Sequence, residues 1–139
     1  MSKYPSIVAR VLLGLLFVVT GLNGFFNFLP RPAAPMPEPA RAFAGALLKT
    51  GYLMPLVMAT QLVAGTMLLA GRLVPLALAL LAPVVVNIVA FHLFLAPSGL
   101  PLAGLVLVLE VYLAWAHRAA YRPMLTWRTP SGAGPAGPA

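Results

Sequence analysis

Four long apolar stretches constrain the fold of this chain more than any other feature. They cover about residues 7–29, 52–70, 73–96 and 100–117 of the 139-residue sequence. A helix needs roughly 20 consecutive apolar residues to cross the hydrocarbon core of a bilayer. The stretches are continuous rather than alternating and are rich in Leu and Ala, which argues against β-strands. The sequence therefore predicts an all-α integral membrane protein built as a bundle of four transmembrane helices.

The composition supports a lipid bilayer as the environment of the protein. Hydrophobic residues make up 61% of the chain and charged residues only 8%, whereas soluble domains carry about 25% charged residues. We expect one four-helix transmembrane domain over residues 1–128. The first stretch follows Lys3 and contains Arg10, as a signal peptide would. It is longer than the roughly 7–15 apolar residues of a signal peptide, so an uncleaved first span is expected.

Proline and glycine mark the borders between these stretches. Five prolines follow the first stretch and disfavour helix there: Pro30, Pro32, Pro35, Pro37 and Pro39. Gly71-Arg72 predicts a tight turn between the second and third spans, and PSGLP at 97–101 predicts another between the third and fourth. The Gly/Pro/Ala-rich tail at 129–139 is expected to be disordered.

The segment ARAFAGALLKTG at 40–51 differs from the four apolar stretches. Phe43, Leu47 and Leu48 share one helical face, while Arg41 and Lys49 can lie toward water. This pattern favours a short interfacial helix between the first and second spans. The alternative is an N-terminal extension of the second span.

The net charge of +7 is explained better by membrane orientation than by nucleic-acid binding, because the basic residues flank the apolar stretches and form no patch. Positive charge gathers on the cytoplasmic side of membrane proteins. With the N-terminus inside, six basic residues lie on the cytoplasmic side: Lys3, Arg10, Arg72, Arg118, Arg122 and Arg128. Three lie on the other side: Arg31, Arg41 and Lys49. Both termini are therefore predicted to be cytoplasmic.

Strongly polar side chains are rare within the spans, and each predicted helix contains at least one. Counting from the predicted outer ends at about 1.5 Å per residue, they lie roughly 7–15 Å deep. The five are Asn23, Gln61, Asn87, His92 and Glu110. Polar residues in spans usually face a bundle interior or a cavity. We therefore predict a shared, ligand-binding polar pocket in the outer half of the bundle. The alternative is that these side chains only join helices to one another.

The sequence offers little support for catalysis by this chain alone. It contains no cysteine, which excludes thiolate nucleophiles and thiolate metal sites. Glu110 is the only acid within a span, and His92 with Glu110 supplies too few ligands for a metal. No Ser-His-Asp set and no phosphate-binding loop is present. We expect no metal site, no intrinsic cofactor and no autonomous catalytic motif, although the question of enzymatic activity stays open.

Three blocks of the sequence resemble the DoxX family of small bacterial membrane proteins. They are RVLLGLLFVVTGLNGFFNFLP, GYLMPLVMATQLVAGTMLLAGR and VVVNIVAFHLFLAPSGLPLAGLVLVLEVYLAWAHRAAYRPML. The resemblance covers about residues 7–125. It implies a four-helix bundle in the bacterial cytoplasmic (inner) membrane. It also implies an association with quinone-linked redox or oxidative-stress complexes, and it supplies no catalytic motif that can be transferred residue by residue.

Two functions are compatible with these observations. The first is an accessory subunit of a membrane redox or respiratory complex, in which the polar pocket holds a quinone or a lipid and Phe25, Phe91 and Leu93 supply apolar walls. The second is a structural, assembly or chaperone-like membrane protein without a small ligand. Its partner would be another membrane protein or a second copy of this chain.

Overall fold

The computed structural model describes residues 3–31 and 34–128. The predicted disordered tail at 129–139 lies outside these residues. The helices are α1 (Tyr4–Phe26), α2 (Glu38–Lys49), α3 (Leu53–Ala70), α4 (Val74–Phe94), α5 (Leu100–Ala116) and α6 (Arg118–Tyr121). Short 3-10 turns cover Pro97–Gly99 and Arg122–Leu125. No strand occurs in the described ranges, and four helices are long and apolar enough to span a membrane, which confirms the predicted fold class.

The first span starts and ends earlier than the sequence pattern indicates. It begins at Tyr4, where Pro5 suits the first helical turn. It ends at Phe26 rather than near residue 29, because Asn27 adopts a left-handed conformation with φ of 52°. The backbone N–H of Asn27 still donates to the carbonyl oxygen of Asn23. Apolar residues therefore continue beyond the helix, and hydrophobicity alone does not show where it stops.

Helix α2 is separate from the second span, as the amphipathic pattern predicts. It ends at Lys49, and the chain turns at Gly51, whose φ of 76° suits glycine. The rings of Phe43 on α2 and Phe91 on α4 lie 5.7 Å apart. Helix α2 thus lies against α3 and α4 at the end of the bundle opposite to the chain termini. We call this end the α2 end, and the other the terminal end.

The four spanning helices form a ring in which α1 packs on α3, α3 on α4, α4 on α5, and α5 on α1. Buried apolar side chains from all four helices fill the centre of the ring. The largest are Phe17, Leu13, Leu68, Leu78, Leu81, Leu113, Val85 and Val106. Their outward-facing neighbours are mostly exposed apolar residues, as expected for helices that contact lipid.

Helices α1 and α3 form the closest helix pair because glycines remove side chains from their interface. A Cβ atom on Gly65 would lie 2.9 Å from the backbone nitrogen of Val18 and 3.0 Å from the carbonyl oxygen of Gly14. A Cβ atom on Gly21 would lie 3.0 Å from the carbonyl oxygen of Met58. The two backbones therefore touch, as small residues allow in membrane helix pairs. This contact fixes the α1 and α3 walls of the site described next.

Candidate functional site

A partly enclosed cavity of about 230 Å³ lies between the four spanning helices. Its walls are mainly apolar, with three polar side chains among them. The lining residues are Leu16, Phe17, Thr20, Met58, Gln61, Ile88, His92, Leu102, Ala103 and Val106. The cavity thus brings together two of the five predicted site residues, Gln61 and His92, and adds Thr20.

Thr20 and Gln61 connect α1 to α3 across the cavity wall. The Thr20 hydroxyl lies 3.0 Å from Gln61 Oε1 and 3.3 Å from the carbonyl oxygen of Phe17, and it donates its one proton to the nearer oxygen, that of Gln61. Gln61 is 6% exposed. Its amide NH₂ group forms no hydrogen bond with residues 3–31 or 34–128. Gln61 therefore keeps a donor available for another molecule.

The orientation of His92 is set by its own helix. Its Nδ1 lies 2.8 Å from the carbonyl oxygen of Ile88, one turn earlier on α4. A carbonyl can only accept, so Nδ1 donates, and in the neutral ring Nε2 is left as an acceptor. The ring packs on Gly99, where a Cβ atom would lie 2.0 Å from Cδ2 of His92. Nε2 finds no hydrogen-bond partner in the described residues. His92 thus supplies an acceptor to the cavity.

A second cavity, which we call the α2 groove, lies beside the first and has a volume of about 460 Å³. Helices α2, α3 and α4 form its walls. The lining residues are Phe43, Ala44, Leu47, Leu53, Met54, Val57, Met58, Gln61, Pro83, Val84, Asn87, Ile88 and Phe91. Met58, Gln61 and Ile88 line both spaces, so these three side chains form the partition between them. Phe91 is the only one of the three predicted wall residues Phe25, Phe91 and Leu93 that borders the groove in the described structure.

Asn87 lies in the α2 groove and not in the cavity between the four spanning helices. Its side chain is exposed and forms no hydrogen bond within the described ranges. Asn87 is seven residues from the end of α4 at Phe94, which places it about 10 Å along the helix axis from that end. A free amide at such a depth is costly in a bilayer. Asn87 is therefore a polar group that lacks a partner where lipid would surround it.

Asn23 has a local structural role. Its Oδ1 accepts a hydrogen bond of 2.8 Å from the backbone N–H of Leu29. This bond holds the chain as it leaves α1, and Asn23 lines neither the cavity nor the groove. The structure therefore does not bring Asn23 to the other predicted site residues.

Glu110 is also separate from the cavity. It shares the buried face of α5 with Val106 and Leu113 and lies one turn beyond Val106 toward the terminal end, past the midpoint of the helix. It is 6% exposed, and Oε2 has no hydrogen-bond partner in the described part of the chain. His92 bonds to Ile88 and not to Glu110. The predicted depth placed Glu110 in the outer half of the bundle. In the structure, Glu110 lies beyond the midpoint of the short helix α5.

The residues of the partition were not identified from the sequence. Met58 and Ile88 are apolar residues within apolar spans, so no pattern distinguishes them from lipid-facing neighbours. Thr20 was recognisable as a polar residue within a span, but its pairing with Gln61 depends on the packing of α1 on α3.

Comparison with known protein families gives a match. The family model of DoxX matches residues 6–93, which include all of α2 and α3 and nearly all of α1 and α4. Gln61, Asn87 and His92 lie inside the matched range, whereas α5 and Glu110 lie outside it. No curated protein and no solved structure matches the chain. Because the match covers more than half of the sequence, and the fold is the four-helix membrane bundle that the resemblance implies, the chain belongs to the DoxX family.

Proposed function

We propose that this DoxX family protein is an accessory subunit of a redox complex in the bacterial cytoplasmic membrane, and that the cavity between its four spanning helices binds the head group of a quinone or a lipid-like molecule. One observation carries the proposal. The cavity presents a free donor, the Gln61 NH₂ group, and a free acceptor, Nε2 of His92, between apolar walls. Ligand pockets typically combine mostly apolar walls with a few convergent polar groups.

A quinone head group fits this pair of hydrogen-bonding groups. A quinone carbonyl accepts hydrogen bonds and would take one from Gln61. A quinol hydroxyl donates and would give one to His92 Nε2. Binding would therefore satisfy polar atoms that are otherwise without partners, and each such bond contributes about 0.5–1.5 kcal/mol.

The family resemblance supports the accessory role, since it links such bundles to membrane redox complexes. In this proposal the chain binds and orients the head group, and a partner membrane protein carries out electron transfer. Glu110 and Asn23 take no part in head-group binding, because neither lines the cavity. The competing function is a structural or assembly protein whose cavity holds no ligand.

The test is a binding measurement with tailless quinols on the protein reconstituted in lipid nanodiscs. Duroquinol and menadiol, whose hydroxyls can donate to Nε2, are the probes, and calorimetric titration under anaerobic conditions gives the affinity. His92→Phe keeps a ring on Gly99 but removes Nε2, and we expect it to weaken binding by about two- to tenfold, as the loss of one hydrogen bond implies. His117→Phe is the matched control, because His117 Nδ1 makes the same local bond, 2.9 Å to the carbonyl oxygen of Leu113, away from the cavity.

Two outcomes would overturn the proposal. Wild-type protein that binds neither quinol would favour the structural function. Equal affinities for the wild type and His92→Phe would show that His92 does not bind the head group, and would contradict binding in this cavity. Co-purification of a redox enzyme from native membranes tests the accessory role separately, and recovery of only copies of this chain would contradict that role.

A further inference from the structure

The cavity between the four spanning helices is too small for a complete membrane amphiphile. Its volume of about 230 Å³ lies below the roughly 300–1,000 Å³ of typical ligand pockets. It can take a ring-sized head group but not a long tail in addition. If the proposed function is correct, the remainder of a tailed ligand must lie outside the cavity, in a neighbouring space.

The wall made by Met58, Gln61 and Ile88 is the one with a larger space behind it. The α2 groove holds about 460 Å³ and shares these three side chains with the cavity. Methionine is flexible and adapts to irregular spaces, and Met58 packs over Gly24, where a Cβ atom would lie 2.4 Å from its sulfur. A rotamer change of Met58 is therefore a simple way to join the two spaces.

The α2 groove opens on the side of the bundle that faces lipid. Pro83 and Asn87 line it and are both exposed, while Phe43 of α2 covers part of it through its contact with Phe91. The opening therefore lies on the lateral surface of the spanning helices, where a molecule dissolved in the bilayer can reach it.

The two free amides lie along one path from this opening to the cavity. Asn87 lines only the groove, and Gln61 lines both the groove and the cavity. A head group that moves inward would meet Asn87 first and Gln61 next. This order reduces the cost of taking a polar head through an apolar groove.

We propose that the α2 groove is the lateral entrance and tail site of the head-group cavity. Its ligand is an amphiphile with a ring-sized, hydrogen-bonding head and a long apolar tail that remains in the groove beneath α2. The inference rests on the proposed function and specifies its ligand class, since a tailless compound would use only part of the site.

The experiment compares two probes on one pair of variants in nanodiscs. The probes are duroquinone, which has no tail, and a ubiquinone analogue with a decyl tail. Ala44→Phe fills the groove from α2 without adding to the cavity wall. Ala46→Phe places the same side chain on the exposed face of α2 and is the control. We expect Ala44→Phe to weaken binding of the tailed probe by tenfold or more, with duroquinone affinity within twofold of wild type. Ala46→Phe should change neither.

A kinetic measurement tests the entrance. Asn87→Leu removes the amide from the path, so we expect association of the tailed probe to slow by threefold or more, while the affinity for duroquinone, which occupies only the cavity, stays within twofold. Tailed-probe affinity that is unchanged in Ala44→Phe would overturn the tail site, while duroquinone binding could still support the cavity. Unchanged rates in Asn87→Leu would overturn the entrance. Wild-type protein that binds neither probe would overturn both this inference and the proposed function.

Discussion

Nδ1 of His92 donates a 2.8 Å hydrogen bond to the carbonyl oxygen of Ile88, and His117 makes the same kind of bond, 2.9 Å long, to the carbonyl oxygen of Leu113. The local geometry of the two histidines is alike, but their surroundings differ. Nε2 of His92 is available to a cavity that Gln61 also lines. The tertiary position of His92, rather than its local bond, makes it a candidate ligand-binding group.

Gly99 should control the position of the His92 ring. A Cβ atom at this position would lie 2.0 Å from Cδ2 and 2.4 Å from Nε2 of His92. We therefore expect Gly99→Ala to displace the ring and to weaken duroquinol binding by about two- to tenfold, while the bundle stays folded by circular dichroism. Gly104→Ala is the control, because no atom lies within 4 Å of a Cβ there. Wild-type affinity in Gly99→Ala would contradict this role of the glycine.

The contact of α1 with α3 should be the point most sensitive to added volume. Gly65→Ala places a methyl group 2.9 Å from the backbone of α1, which cannot move as a side chain can. We expect a loss of about 1–3 kcal/mol in the free energy of unfolding. Gly104→Ala should instead be neutral or stabilise by up to about 1 kcal/mol, since alanine is the better helix former. Thermal unfolding in matched micelles measures the stability of both variants. Equal melting temperatures of Gly65→Ala and Gly104→Ala would show that α1 and α3 move apart at little cost.

The bond between Thr20 and Gln61 should stabilise the bundle. Thr20→Val removes the 3.0 Å bond to Gln61 and leaves a buried amide with one partner fewer. The expected cost is about 0.6–2 kcal/mol, as for other hydrogen bonds between membrane helices. Thr66→Val is the comparison, because its hydroxyl bonds only to the carbonyl oxygen of Leu62 on its own helix. A Thr20→Val protein as stable as Thr66→Val would contradict the prediction.

Glu110 should reduce stability as long as Oε2 lacks a partner. A buried polar group without a hydrogen bond costs about 1–3 kcal/mol, and Glu110→Met keeps the length of the side chain while it removes both oxygens. We expect the Met variant to unfold at a higher temperature than wild type, with duroquinone affinity unchanged, because Glu110 does not line the cavity. Lower stability in this variant would show that Glu110 is paired in the membrane.

Tyr121 should anchor the terminal end. Its hydroxyl donates a 2.7 Å bond to the carbonyl oxygen of Pro75. Burial, followed by the charge of Glu110, raises the pKa of Tyr121 above its ordinary value. The folded state thus favours the protonated form of Tyr121. The stabilisation by the Tyr121 hydroxyl is therefore complete below the unfolded pKa near 10, and it is lost as pH rises through the higher folded pKa. Tyr121→Phe should lower stability by about 0.5–1.5 kcal/mol at neutral pH. The difference between the two proteins should shrink in strongly alkaline solution, as thermal unfolding across pH will show.

The sequence by itself determined the membrane environment and the four spans, and it favoured the separate amphipathic helix. These features follow from the length and period of apolar runs, which respond to the solvent around each segment. The sequence also showed that Gln61, Asn87, His92 and Glu110 are unusual in their spans, because a polar side chain in lipid is costly wherever it lies.

Only the tertiary structure decided which polar residues meet. Thr20 and Gln61 come together because glycines let α1 and α3 touch. Asn87 lies in the groove while His92 lies in the cavity, since five residues turn a helix by about 140° and direct the two side chains to different neighbours. Asn23 turns back to its own chain, and Glu110 lies beyond the midpoint of α5. The rotation and offset of each helix depend on contacts between helices, and no single span encodes them.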